Sequence, residues 1–152
     1  VEGALQAKMR NMGQSCRAAN RFLVARPAVE EFSRRMVERM TALRMGDGLD
    51  PSVDVGPLIT AAARNRVGRL VEEARERGAQ VVEAPGTIAA PLSAERFCPP
   101  TVLTEVPAEA AVLAQEVFGP IAPVVAFDSE QQAVDMATRR NTDWPPSSSP
   151  AT

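Results

Sequence analysis

Apolar residues recur along this chain in two rhythms. Val29, Phe32, Met36, Met40 and Leu43 return every three or four positions, the spacing of one helix face. Pro27 stands where a first helical residue belongs. Glu30 and Glu31 are predicted in the first turn and Arg44 in the last, with Gly46 ending the helix. The same period runs through Ala63, Val67, Leu70, Val71 and Ala74, with Thr60 as N-cap and Gly78 as the stop. Shorter apolar runs predict strands at 21–25, 80–82, 101–106 and 123–127. A short helix is predicted over 108–114. Ser129 and Gln132 form a capping box for a last helix reaching about Arg140. The stretches 46–57 and 85–91 read as loops.

Strands alternating with amphipathic helices predict an α/β fold, a largely parallel sheet flanked by helices. The pattern holds to residue 141. The Pro- and Ser-rich stretch 142–152 breaks it and is predicted to be an irregular, disordered tail.

Composition narrows the function classes. With 152 residues, 45% of them hydrophobic, the chain can build one sizeable core. A net charge of -2 points to neither nucleic acid nor a membrane surface. No apolar run approaches the roughly 20 residues of a membrane span. The start, Val1-Glu2-Gly3-Ala4, has no signal-peptide pattern, so a cytoplasmic location is expected. There is no His, which excludes a Ser-His-Asp triad, a Cys-His dyad and a His-based metal site within these residues. Two cysteines are too few for a disulfide framework, and no metal site is expected.

Two segments are candidates for chemistry. In Asn11-Met12-Gly13-Gln14-Ser15-Cys16-Arg17, Gly13 permits a tight turn. Cys16 is predicted near the start of a short helical stretch, where a helix N-terminus and Arg17 would favour a thiolate. The residues alone leave two readings open, a nucleophile and an inert buried thiol, since free cysteine is among the most buried residue types. In Gln115-Glu116-Val117-Phe118-Gly119-Pro120, the residues alone read Glu116 as a solvated charge and Phe118 as core. Cys98, followed by two prolines, reads as structural. The charges of 72–77 read as one solvated helix face.

Together these segments resemble the aldehyde dehydrogenase superfamily. Its cysteine signature, Asn-x-Gly-Gln-x-Cys followed by Asn-Arg, is similar to Asn11–Cys16 with Asn20-Arg21; its Glu-x-Phe-Gly-Pro signature is similar to Glu116–Pro120. Met45–Asp50, Val55–Ile59 and Pro100–Leu103 look like family landmarks, worded most like the succinate-semialdehyde dehydrogenase subgroup. The resemblance implies part of the catalytic domain, with the Rossmann cofactor domain absent from these residues. It implies oxidation of a small-molecule aldehyde to a carboxylate, with NAD or NADP, through a thiohemiacetal and thioester on Cys16. Glu116 would hold the hydroxyls of the nicotinamide ribose, and Phe118 would pack beside that ribose and the nicotinamide. The parent family is homo-oligomeric.

The chain also departs from the family pattern. The family's glutamate base and oxyanion-hole asparagine precede the cysteine signature and have no counterpart here. No Gly-rich phosphate turn occurs. Past Asn141 the family's Tyr/Phe-Gly-Leu turn is replaced by Thr142-Asp143-Trp144-Pro145. A truncated chain of this kind is expected to be inactive alone and to self-associate through bare sheet edges. The alternatives are a non-catalytic fragment or degenerate paralogue without cofactor binding, and residual thiol-esterase chemistry at Cys16.

Overall fold

Four short strands form one sheet in the order β1-β4-β3-β2. They are β1 (Phe22–Ala25), β2 (Gln80–Glu83), β3 (Thr101–Thr104) and β4 (Ile121–Phe127). β4 runs parallel to both β1 and β3, while β2 closes one edge antiparallel to β3. The structure is a computed structural model and describes residues 1–85 and 94–138. Most of the 85–91 loop and all of the 142–152 tail lie outside the described residues.

Alternation along the strands builds two cores. Leu103 and Ile121 face one side and pack with Val67, Leu70, Val71 and Ala74 of α3 (Ala61–Glu76). Val102, Ala122 and Val124 face the other and pack with Met36 and Met40 of α2 (Arg26–Thr41) and Leu5 of α1 (Glu2–Met9). A strand buried on both faces reads as a continuous apolar run, which is what 121–126 is. Pro123 lies inside that central strand, where a missing N–H is normally costly. It is tolerated at the point where β4 passes from pairing with β3, at Leu103↔Pro123, to pairing with β1, at Phe22↔Val124.

The helices follow their signals closely. Thr60 caps α3, its hydroxyl accepting the N–H of Ala63 at 3.0 Å. Gly78 ends that helix region with φ +102, which only glycine adopts freely. Ser129 caps α5 (Glu130–Thr138), its hydroxyl accepting the N–H of Gln132, and the Gln132 side-chain carbonyl accepts the N–H of Asp128 rather than that of Ser129. The helix predicted over 108–114 is confined to α4 (Ala111–Ala114), whose first N–H is taken by the Glu73 carboxylate.

Two details of α2 differ from expectation. It starts at Arg26, so Glu30 and Glu31 fall beyond its first turn. Glu31 works through i,i+3 and i,i+4 pairs with Arg34 and Arg35 instead. The helix also ends at Thr41, short of Arg44. The Arg44 carbonyl and side chain are engaged by Asp54 and Val55, and Met45 bridges to Val55. Gly46 is therefore not the helix stop. A Cβ there would meet Val53 at 2.7 Å, so the glycine permits the close approach of the 46–55 loop to itself.

Candidate active site

The cysteine signature begins with a left-handed stretch directly after α1. Asn11, Met12 and Gly13 have φ of 49, 55 and 75. For the two non-glycine residues this conformation costs roughly 1–2 kcal/mol each. The turn is held by its own hydrogen bonds. Gln14 N–H donates to the Asn11 carbonyl at 2.9 Å, and the Asn11 amide donates to the Gln14 carbonyl at 3.0 Å. The Gln14 side-chain carbonyl accepts the N–H of Ile59 at 2.9 Å. One landmark of the chain is thus tied to another through a single side chain.

Gly13 is buried against the second signature. A Cβ on Gly13 would lie 2.1 Å from the carbonyl oxygen of Gly119 and 2.5 Å from its carbon. A Cβ on Gly119 would in turn meet Val67 of α3 at 2.9 Å. The two signatures therefore touch backbone to backbone, with a helix directly behind them.

Cys16 sits in an exposed turn closed by Ala18 N–H to the Ser15 carbonyl at 2.9 Å. The short helix expected after it is absent, because Arg17 N–H is drawn to the Ser15 hydroxyl and the chain runs on as turn to β1. A helix N-terminus is not the device that serves this thiol. Among the described residues, the backbone N–H of Cys16 donates to no protein acceptor.

The return limb of the turn is clamped to residues 113–117. The Asn20 amide donates to the Gln115 carbonyl at 3.0 Å, and its side-chain carbonyl accepts the N–H of Val117 at 2.6 Å. Arg21 donates to the carbonyls of Leu113 and Met136, each at 2.7 Å. The result is an open cavity of about 400 Å³ lined by Ser15, Cys16, Asn20, Arg21, Glu116 and Val117, among others. Cys16 and Glu116, 100 positions apart in the sequence, share its wall. Glu116 is exposed, and its carboxylate has no partner among the described residues. Phe118 is half-buried and does not line this cavity. Cys98 lies elsewhere, buried, with burial pushing its thiol up from 9.0 to about 11, as suits a structural cysteine.

Sequence reasoning missed Lys8. It is fully buried, and its ammonium donates to the carbonyls of Ala19 at 3.0 Å and Val117 at 3.4 Å. Burial lowers it from 10.5 to about 8. This has a stability consequence. The unfolded chain keeps the Lys8 proton up to about 10.5 and the folded chain only to about 8, so stability should climb as pH rises above 8. Cys98 acts in the opposite sense above 9.0, where the folded chain holds a proton that the unfolded chain loses. The net rise should thus be confined to about pH 8–9, at no more than about 1.4 kcal/mol per pH unit. Denaturant unfolding across that range should show it in the parent chain. Lys8→Met should lack it; an equal rise in that variant would refute the assignment.

Among the described residues no group of three His, Cys, Asp or Glu side chains could hold a metal ion, and no helix is long and apolar enough to cross a membrane.

The aldehyde dehydrogenase family model matches residues 1–142. The chain belongs to the aldehyde dehydrogenase family. It is 48% identical over 137 residues to a succinate-semialdehyde dehydrogenase of Paenarthrobacter nicotinovorans, covering 90% of this chain and 30% of that protein. It is 39% identical over 143 residues to succinate-semialdehyde dehydrogenase [NADP(+)] 1 of Mycobacterium tuberculosis, covering 90% and 29%. Among solved structures it is similar to a succinate-semialdehyde dehydrogenase from Burkholderia pseudomallei, with TM-score 0.83, 33% identity and coverage of 91% and 28%. A 3,6-anhydro-L-galactose dehydrogenase in complex with NAP matches with TM-score 0.83, 33% identity and coverage of 91% and 29%. The chain thus spans less than a third of the relatives it matches.

Proposed function

We propose that these residues form the nucleophile-bearing part of an NAD(P)-dependent aldehyde dehydrogenase, with succinate semialdehyde as the leading substrate. The observation that carries the reading is the shared cavity of Cys16 and Glu116. The Cys16 thiolate attacks the aldehyde carbon, forming a C–S bond and an oxyanion on the former carbonyl oxygen. The N–H of Cys16, which meets no protein acceptor among the described residues, would be free to donate to that oxygen. A nicotinamide held here by Glu116 would supply the hydride acceptor, and loss of hydride from that carbon would leave a thioester on Cys16. Water then displaces the sulfur, releasing the carboxylate and regenerating the thiol. Sulfur suits both halves, as a strong nucleophile and as a leaving group.

The cofactor role rests on the donor chemistry of this chain's own residues. Glu116 offers two unengaged carboxylate oxygens at the cavity rim, suited to accept hydrogen bonds from the ribose hydroxyls of NAD or NADP. Phe118, half-buried two residues on and outside the lining of this cavity, would reach the ribose and nicotinamide only at its margin. The succinate-semialdehyde names of the relatives at 39–48% identity favour that substrate. A nucleotide-binding domain beyond these 152 residues would complete the site, so the isolated segment is expected to bind no cofactor and turn over no aldehyde.

The test is cofactor reduction by succinate semialdehyde in the intact protein, compared with Glu116→Gln. That variant keeps the size of the side chain and halves its acceptor oxygens. Its KM for the cofactor should rise about tenfold with the aldehyde KM little changed, a loss of about 1.4 kcal/mol of cofactor binding. Unchanged cofactor kinetics would remove Glu116 from the site. No reduction with any aldehyde would favour a non-catalytic chain.

A further inference from the structure

Lys8 is a buried cation that the chemistry above does not use. Among the described residues it faces no carboxylate; its two acceptors are main-chain carbonyls. A buried amine with so little compensation is expensive, and a Met or Leu would fill the same space without that cost. In some proteins such a group serves through what its hydrogen bonds specify. Here they join three pieces of chain. Lys8 is on α1, and the helix also holds the return limb of the cysteine turn through Ala19 N–H to the Ala7 carbonyl at 3.1 Å. One Lys8 bond adds to that grip at Ala19, and the other crosses to Val117. Val117 directly follows Glu116, and its N–H is already held by Asn20.

From this bridge we infer that Lys8 is a positioning residue, setting the cysteine turn at a fixed distance from the Glu116 segment. The inference rests on the proposed roles of Cys16 and Glu116. Asn20 holds the peptide units on both sides of Glu116, through the Gln115 carbonyl and the Val117 N–H, and Lys8 holds the next one through the Val117 carbonyl. Lys8 touches no reacting atom in this account. Its contribution is to alignment, which governs how well the carbon bound to Cys16 meets the cofactor held by Glu116.

The experiment compares Lys8→Met and Lys8→Gln with the parent in the intact protein. Three readouts are taken: kcat for aldehyde oxidation, the rate of Cys16 alkylation by iodoacetamide, and the thermal midpoint. Lys8→Met removes both donors and should lower kcat by about tenfold, since a misplacement near 1 Å costs up to on the order of 10²-fold. Lys8→Gln, a neutral donor, should recover part of that loss. Cys16 alkylation should stay within about twofold of the parent in both, because the thiol remains exposed. A kcat loss under fivefold in folded Lys8→Met overturns the inference. So does a fall of alkylation in step with kcat, which would mark a general collapse of the turn. Should Lys8→Met fail to fold, Lys8→Gln decides: a kcat within twofold of the parent overturns the inference. Failure of the underlying reading is separate: it shows as full activity in Cys16→Ala.

Discussion

Replacing Cys16 by alanine should abolish aldehyde oxidation in the intact protein, with a loss on the order of 10³-fold or more, and should leave the fold unchanged. The first half follows from the proposed chemistry. Covalent catalysis through sulfur divides a hard step into two, and no neighbouring group can replace the nucleophile. Ser15, the adjacent hydroxyl in the cavity, holds the turn through Arg17 N–H and has no His beside it to act as base. The second half follows from exposure. Cys16 is at the open side of a turn whose hydrogen bonds are made by other residues, so its truncation should move stability by no more than about 0.5 kcal/mol. Cys98→Ala is the matched control. That thiol is buried in the α3 core, so its loss should lower the melting temperature and leave turnover per folded molecule alone. Steady-state kinetics with thermal melts on both variants make the comparison. Near-parental turnover in Cys16→Ala would end the proposal that this residue is the nucleophile.

How much of this was legible beforehand depended on range. Elements whose signals are local were read well. The strand at 22–25, Pro27 near the start of α2, the Thr60 cap and the Gly78 stop all stand where side-chain spacing and turn chemistry put them. The largely parallel sheet followed from the alternation of strands and helices. α1 escaped because its inward face carries a lysine: Leu5 and Lys8 are its buried side chains, and a charged residue hides an apolar stripe. The end of α2 was misplaced because the Asp54 and Val55 contacts that draw Arg44 away arise ten residues downstream. At the site, the signature residues Cys16 and Glu116 were named from their motifs, and the cavity joins them. The backbone of the cysteine turn was misread, since a Ser15 hydroxyl bond competes with the helix that composition allowed. Lys8 had no motif to announce it. Its role depends on carbonyls 11 and 109 positions away, which no local pattern encodes.

The Gly13–Gly119 contact that brings the two signatures together should also be sensitive to a single methyl group. Gly13→Ala is expected to cost roughly 2–5 kcal/mol and to lower turnover by on the order of 10²-fold. Two terms add. At φ +75 an L-residue pays roughly 1–2 kcal/mol that glycine does not. The new Cβ would also overlap the Gly119 carbonyl, at 2.1 Å from oxygen and 2.5 Å from carbon. Both obstructing atoms are backbone, so no rotamer change relieves the clash. Val67 of α3 also packs close to Gly119, which resists its movement toward that helix. The remaining escape is for the 11–16 turn to lift away from 119–120, which carries Cys16 off the wall it shares with Glu116. Loss of stability and loss of catalysis should therefore appear together. Gly48→Ala is the comparison: nothing lies within 4 Å of a Cβ there, and its melt and kinetics should stay near the parent. A Gly13→Ala protein with parental melting and turnover would show that the two signatures can part freely. The shared cavity would then be a neighbourhood of two motifs and not a built site.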